Sequence, residues 1–134
     1  MAHVRLRDGA AQLLRRAGQP KARGSYGWRW CVRGKKNRHR KLSAALTRRG
    51  SVALVATDAV NADAKRIRVG DAALGLSGQA RSLGGGLFVR SAGPRKRFVY
   101  GVRRGRVRFV GLATRAASKN RATLRRYVRL AKLR

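Results

Sequence analysis

The sequence predicts an α+β fold: an antiparallel sheet assembled from two related helix-plus-β-hairpin units, with an amphipathic helix at the C-terminus. Three observations carry that prediction. Apolar and polar residues alternate around Tyr26, Leu42, Val52, Phe98 and Val107, the period of a strand with one buried face. Two Arg-Arg-Gly triplets, at 48–50 and 103–105, separate pairs of these runs. Near the end of the chain Leu124, Tyr127, Val128 and Ala131 recur at helical spacing, with Arg121, Arg125, Arg126, Arg129 and Lys132 on the remaining surface.

Taken in order, "LRDGAAQLLRRAG" reads as a short helix over 9–17, with Asp8 placed to cap it, Leu13 and Leu14 behind, and Gly18 with Pro20 to stop it. Tyr26, Trp28, Trp30 and Val32 then alternate with Gly27, Arg29, Cys31 and Arg33, which predicts a strand whose aromatic face is core, with an exposed stacking platform for single-stranded bases as the alternative. The run "GKKNRHRK" over 34–41 reads as a basic loop. Leu42, Ala44 and Leu46 predict a strand that turns through Arg48, Arg49 and Gly50 into a second one with Val52, Leu54 and Ala56, although Ala and Leu also suit a helix capped by Gly50. Residues 59–66 read as a polar connector. Beyond them "GGG" and "AGP" punctuate strands near 87–90, 98–102 and 107–112. Simple alternation puts Phe98, Tyr100 and Val102 on one inward face with Val107, Phe109 and Gly111.

The halves echo one another. "VRLRDGAAQLL" matches "IRVGDAALGL", "YGWRWCVRG" matches "RFVYGVRRG", and "RRGSVALVATDA" matches "RRGRVRFVGLATRA", in the same order. The expectation is a single domain over 1–134 containing degenerate repeats at 1–60 and 66–116 and a C-terminal helix over 118–133.

Charge bounds the function. Thirty-five Lys and Arg face four acids, giving a formal +31, and all four acids are Asp. Salt bridges inside the molecule neutralise few of these cations, so counterions or a polyanionic partner must relieve the repulsion. Twenty-seven of the basic residues are Arg, whose planar fork suits bidentate phosphate and carboxylate contacts. An Ala-, Gly-, Val- and Arg-rich chain is also what a GC-rich genome encodes, which accounts equally for Arg over Lys but not for the scarcity of acids. At 43% hydrophobic residues, the chain has material for a core that a disordered basic tail lacks.

The same inventory argues against catalysis. There is no Glu, and Asp8, Asp58, Asp63 and Asp71 are scattered at expected caps and connectors, poor material for paired carboxylates. Cys31 and His39 are a conceivable nucleophile pair, set against a half-buried strand cysteine and a solvated loop histidine. "SLGGGLF" lacks the Gly-Lys-Ser/Thr ending of a phosphate loop and leads into a strand, so it reads as a turn. One Cys and two His predict neither disulfide nor metal site, and no cofactor is expected. The first residues hold no apolar run resembling a signal peptide. The chain therefore reads as soluble and cytoplasmic as written, or as the mature part of an exported protein.

What remains is a non-enzymatic protein that binds nucleic acid or another polyanion through phosphates, without marked sequence selectivity and with no small-molecule substrate. The expected contacts are Lys35, Lys36, Arg38 and Arg40 in the loop, Arg103, Arg104, Arg106 and Arg108 in the last hairpin, and Arg125, Arg126 and Arg129 on the terminal helix. An anionic envelope polymer or membrane surface is an alternative partner, and ribosomal RNA a further one.

"IRVGDAALGL", "FVYGVRRGRVRFVGLATRA" and "LRRYVRLAKLR", over 66–134, resemble a group of uncharacterised Arg-rich proteins of high-GC actinobacteria, many of which look exported. More distantly the chain resembles the helix-then-hairpin repeats of small bacterial envelope and inhibitor modules. The resemblance implies an envelope-associated interaction module and names no site residues.

Overall fold

Helix α1 (Ala10–Ala17) ends where Gly18, at φ 75°, turns its N–H back to the Leu14 carbonyl. Gly9, not Asp8, takes the N-cap, and its N–H donates to Gln12 Oε1 at 2.9 Å. Asp8 is buried instead, its carboxylate 3.5 Å from Arg16 Nε. This computed structural model describes residues 6–76 and 78–133. The start of the apolar-basic lead-in lies outside them, as does the side chain of Leu13.

Four strands follow: β1 (Ala22–Arg23), β2 (Gly27–Cys31), β3 (Lys41–Leu46) and β4 (Val52–Thr57). Trp28 and Trp30 point into the core as their alternation predicts, and Trp30 Nε1 donates to the Gly18 carbonyl at 3.1 Å. Tyr26, placed on the same face by alternation, precedes the strand and stays 41% exposed, while Val32 follows its end. Cys31 is exposed rather than half-buried. The basic loop winds through a short 3-10 turn, Lys35–Asn37. Thr47 to Ser51 close the β3–β4 hairpin, with Gly50 at φ 81°, which excludes the competing helix.

The expected connector is structured. It holds a small hairpin of β5 (Asp63–Ala64) and β6 (Ile67–Arg68), turned by Lys65 and Arg66 at φ 54° and 67°, the left-handed pair a two-residue hairpin turn requires. Where "DAALGL" suggested a helix there is one 3-10 turn, Ala73–Leu76. Then come β7 (Arg81–Gly84), β8 (Leu87–Ser91), β9 (Lys96–Arg103), β10 (Arg106–Thr114) and α2 (Arg121–Leu130). Helix α2 is shorter than the expected 118–133, because Asn120 caps it by accepting from the Thr123 N–H at 2.9 Å.

All strands except β5 and β6 form one sheet, in the order β1-β2-β3-β4-β10-β9-β8-β7. The order reads alike from either edge, and so does the register. Across the central seam Ala56 faces Gly111, with Val55 opposite Leu112 and Thr57 opposite Val110. A two-fold rotation about the Ala56–Gly111 pair carries Ala44 opposite Val55 onto Tyr100 opposite Val110, and Trp28 opposite Ala44 onto Phe88 opposite Tyr100. It also carries the bulge at Ala53 onto the bulge at Arg108. In this relation β2 corresponds to β8, not to β9 as the echo of "YGWRWCVRG" in "RFVYGVRRG" suggests. The same rotation relates the lead-ins: Val52 exchanges backbone hydrogen bonds with Arg7 and Asp8 at 2.7 and 2.8 Å, and Val107 with Gly70 and Asp71 at 2.8 and 2.9 Å.

The bulge at Arg108 overturns one expected alignment. Val107 lies on one face with Tyr100 and Val110, whereas Phe109 emerges on the other, among Leu54, Val99 and Leu124. Its ring occupies the space over Gly101, where any Cβ would collide with it. Helix α2 covers this face through Leu124, Tyr127, Val128 and Ala131, the stripe predicted. On the opposite face α1 packs Leu14 and Ala17 against Trp28, Trp30 and Val52 in the first half, while Ile67, Val69 and Leu76 cover Tyr100 and Val110 in the second.

Candidate functional site

One end of the sheet collects the residues that begin β3, follow β4, join β9 to β10 and follow α2. Arg40 and Lys41 come from the first, Asp58 from the second, Arg103, Arg104 and Arg108 from the third, and Lys132 from the last. They line a cleft of ≈330 Å³. Six cations thus surround one acid, whose carboxylate already accepts the Lys41 N–H at 2.8 Å. Arg103, Arg104 and Lys132 are exposed, and Arg40, Lys41 and Arg108 are half-buried. Crowding of this kind raises the local potential and is relieved by an anion carrying several charges.

Two further clefts share walls with it. A second, also ≈330 Å³, is lined by Lys21, Arg29, Trp30, Arg38 and His39 and shares Arg40 and Lys41 with the first. A third, ≈360 Å³, lies between the β1–β2 turn and the end of α2, with Arg23, Tyr26, Arg29, Arg129 and Lys132 in its walls. Arg29 belongs to the second and third, Lys132 to the first and third.

The expected contact residues divide accordingly. Arg40, Arg103, Arg104 and Arg108 meet in the first cleft, Arg38 and Arg40 in the second, and Arg129 reaches the third. The others are not gathered there. Arg106 donates to the Gly70 carbonyl at 3.0 Å, Arg125 to the Gly85 carbonyl at 3.1 Å, and Arg126 stacks on the Tyr127 ring at 5.1 Å. Lys35 and Lys36 stand exposed on the 3-10 turn and line none of these clefts. Lys41, Lys132, Lys21, Arg23 and Arg29 line these clefts without being among the expected contacts. Lys41 closes the basic run and Arg29 alternates outward between two tryptophans, which are the signals available for them.

The other end of the sheet explains why the cleft is one-sided. By the two-fold register Lys41 corresponds to Arg97. There the turns between β10 and α2 fold back, and Arg97 donates to the Ser118 carbonyl at 3.0 Å. Burial, with Arg81 and Arg115 nearby, lowers the Arg97 pKa from its ordinary value. Helix α2 and its lead-in thus cover one end and leave the other open.

Cys31 and His39 line the second cleft together, with no carboxylate in its walls to orient the imidazole. Among the described residues no three His, Cys, Asp or Glu side chains cluster to hold a metal ion, and no helix is long and apolar enough to cross a membrane. Neither a protein-family model, nor a curated protein, nor a solved structure matches the chain.

Proposed function

We propose that this protein is a non-enzymatic binder of polyanions whose partner is nucleic acid, held by its phosphates without marked sequence selectivity. The observation that carries the reading is the six-cation cleft with Asp58 as its one acid. Guanidinium groups in a concave site offer paired N–H donors to phosphate oxygens, and the excess charge of the whole chain speeds encounter with any anionic polymer. Positioning contacts to backbone phosphate carry no base information.

The test is direct. The folded protein, freed of copurifying nucleic acid, is titrated with duplex DNA, single-stranded DNA, RNA and anionic liposomes across a salt series. Binding to nucleic acid that weakens steeply with salt is expected. Absence of affinity for every nucleic acid at low salt refutes the proposal, and binding confined to liposomes turns it toward an envelope role.

The two halves are, on the same footing, related helix-plus-β-hairpin units, the second holding a 3-10 turn in place of the helix. The shared register, the matching bulges and the equivalent backbone pairing of Asp8 and Asp71 support that reading.

A further inference from the structure

The chain contains eight aromatic side chains, and Tyr26 is the one that stands exposed, at 41%. Trp28, Trp30, Tyr100, Phe109 and Tyr127 are buried, while Phe88 and Phe98 are half-buried against the core. Its backbone is tied to the sheet, because the Tyr26 carbonyl accepts the Leu46 N–H at 2.8 Å. It stands in a cleft whose other walls include Arg23, Arg29, Arg129 and Lys132. Two of these continue elsewhere: Lys132 into the six-cation cleft and Arg29 into the cleft with Arg38 and Arg40.

We propose that the nucleic acid bound is single-stranded, its phosphates running through these linked clefts while a base stacks on Tyr26. This rests on the polyanion-binding reading and adds to it the strandedness of the partner. A flexible strand follows a concave track and can lay a base on an exposed ring, whereas the bases of a duplex are already stacked on one another and reached through its major groove only by a projecting helix or ribbon. Neither helix projects here: Leu124, Tyr127 and Val128 hold α2 to the sheet, and Leu14 holds α1. The turn arginines Arg103 and Arg104 line the wall of a cleft. An aromatic platform beside a cationic track suits any base and so adds affinity without selectivity.

Fluorescence anisotropy with the full chain tests this, using labelled oligo-dT, oligo-rU and a duplex of equal length at fixed salt, with inorganic polyphosphate as a competitor that has no bases. Single strands are expected to bind more tightly than duplex. Tyr26→Ala should weaken the single strands by roughly 5- to 150-fold, the range for loss of one stacked base, and Tyr26→Trp should restore them. The salt slope, the duplex affinity and competition by polyphosphate should not move, because they report charge alone. Duplex binding as tight as single-strand binding, or a silent Tyr26→Ala, overturns the single-strand proposal and leaves salt-sensitive polyanion binding standing. Failure of every oligonucleotide to bind at low salt removes both.

Discussion

The β3–β4 and β9–β10 turns occupy equivalent places in the sheet, and each carries an exposed arginine pair: Arg48 and Arg49 in the first, Arg103 and Arg104 in the second. Only the second pair lines the six-cation cleft. Replacing either pair by glutamine removes the same charge from equivalent places in the sheet, the loop over 47–51 in one case and the end of β9 with its tight turn in the other, and touches no core residue, so each variant is the other's control. If all six cleft cations meet phosphates of a single strand, log K should fall with log salt at a slope of about −4, a loss of roughly 300-fold between 50 and 200 mM. Arg103→Gln with Arg104→Gln should reduce the slope to about −3 and that loss to roughly 50-fold. Arg48→Gln with Arg49→Gln should leave the slope near −4. Anisotropy at four or five salt concentrations resolves the difference. If both pairs change the slope equally, the protein binds as a diffuse cloud of charge and the cleft is not the site.

Three other outcomes follow. Asp58→Asn keeps a side-chain carbonyl for the Lys41 N–H while removing the one negative charge among the cleft residues, so anion affinity measured at low salt should rise by about 2- to 5-fold. Tyr100 is buried, donates its hydroxyl to the Ala64 carbonyl at 2.9 Å, and has its pKa pushed up to about 12, first by burial. Because the folded pKa lies above the ordinary tyrosine value of 10.0, stability from the neutral phenol is complete below pH 10 and is lost as pH rises toward 12, by about 3 kcal/mol in all. Urea unfolding at pH 8 and pH 11 should show about half of that loss, about 1.4 kcal/mol, in the native chain but not in Tyr100→Phe, and equal pH dependence in both would sink the assignment. Gly101→Ala places a Cβ against the Phe109 ring and should cost about 1–3 kcal/mol by overpacking, read as a lower urea midpoint.

The parts of the fold legible in the sequence are those where local pattern and tertiary demand agree. Trp28 and Trp30 alternate with small or polar neighbours, the two Arg-Arg-Gly turns permit the required left-handed backbone, and Leu124, Tyr127 and Val128 mark the buried stripe of α2. Strands β1 and β7 escaped notice because two and four residues at a sheet edge need no alternation. Alternation alone puts Phe109 on the wrong face because a bulge inserts one residue without a sequence mark, and every position beyond it reverses. The cleft itself was only half visible. Arg103, Arg104 and Arg108 announce themselves as a cluster, but their association with Arg40, Lys41 and Lys132 depends on β4 pairing with β10 and on where α2 ends.

That pairing also decides how one open cationic cleft comes from a sheet with two equivalent ends. The two-fold register supplies a basic residue at each end, Lys41 at one and Arg97 at the other, each beside an arginine-bearing turn. Left bare, both would attract anions alike. The chain beyond β10 removes the equivalence, because it must fold back over one end to reach the face that α2 covers. In doing so it gives Arg97 the Ser118 carbonyl as a partner and buries Ala117 and Ser118 on that side. The chain after α2 then brings Lys132 to the six-cation cleft at the opposite end. The same segment that covers the core face therefore closes one cationic end and completes the other. Losing the Arg97–Ser118 contact should accordingly destabilise the docking of α2, whereas losing Lys132 should weaken anion binding and leave the fold intact.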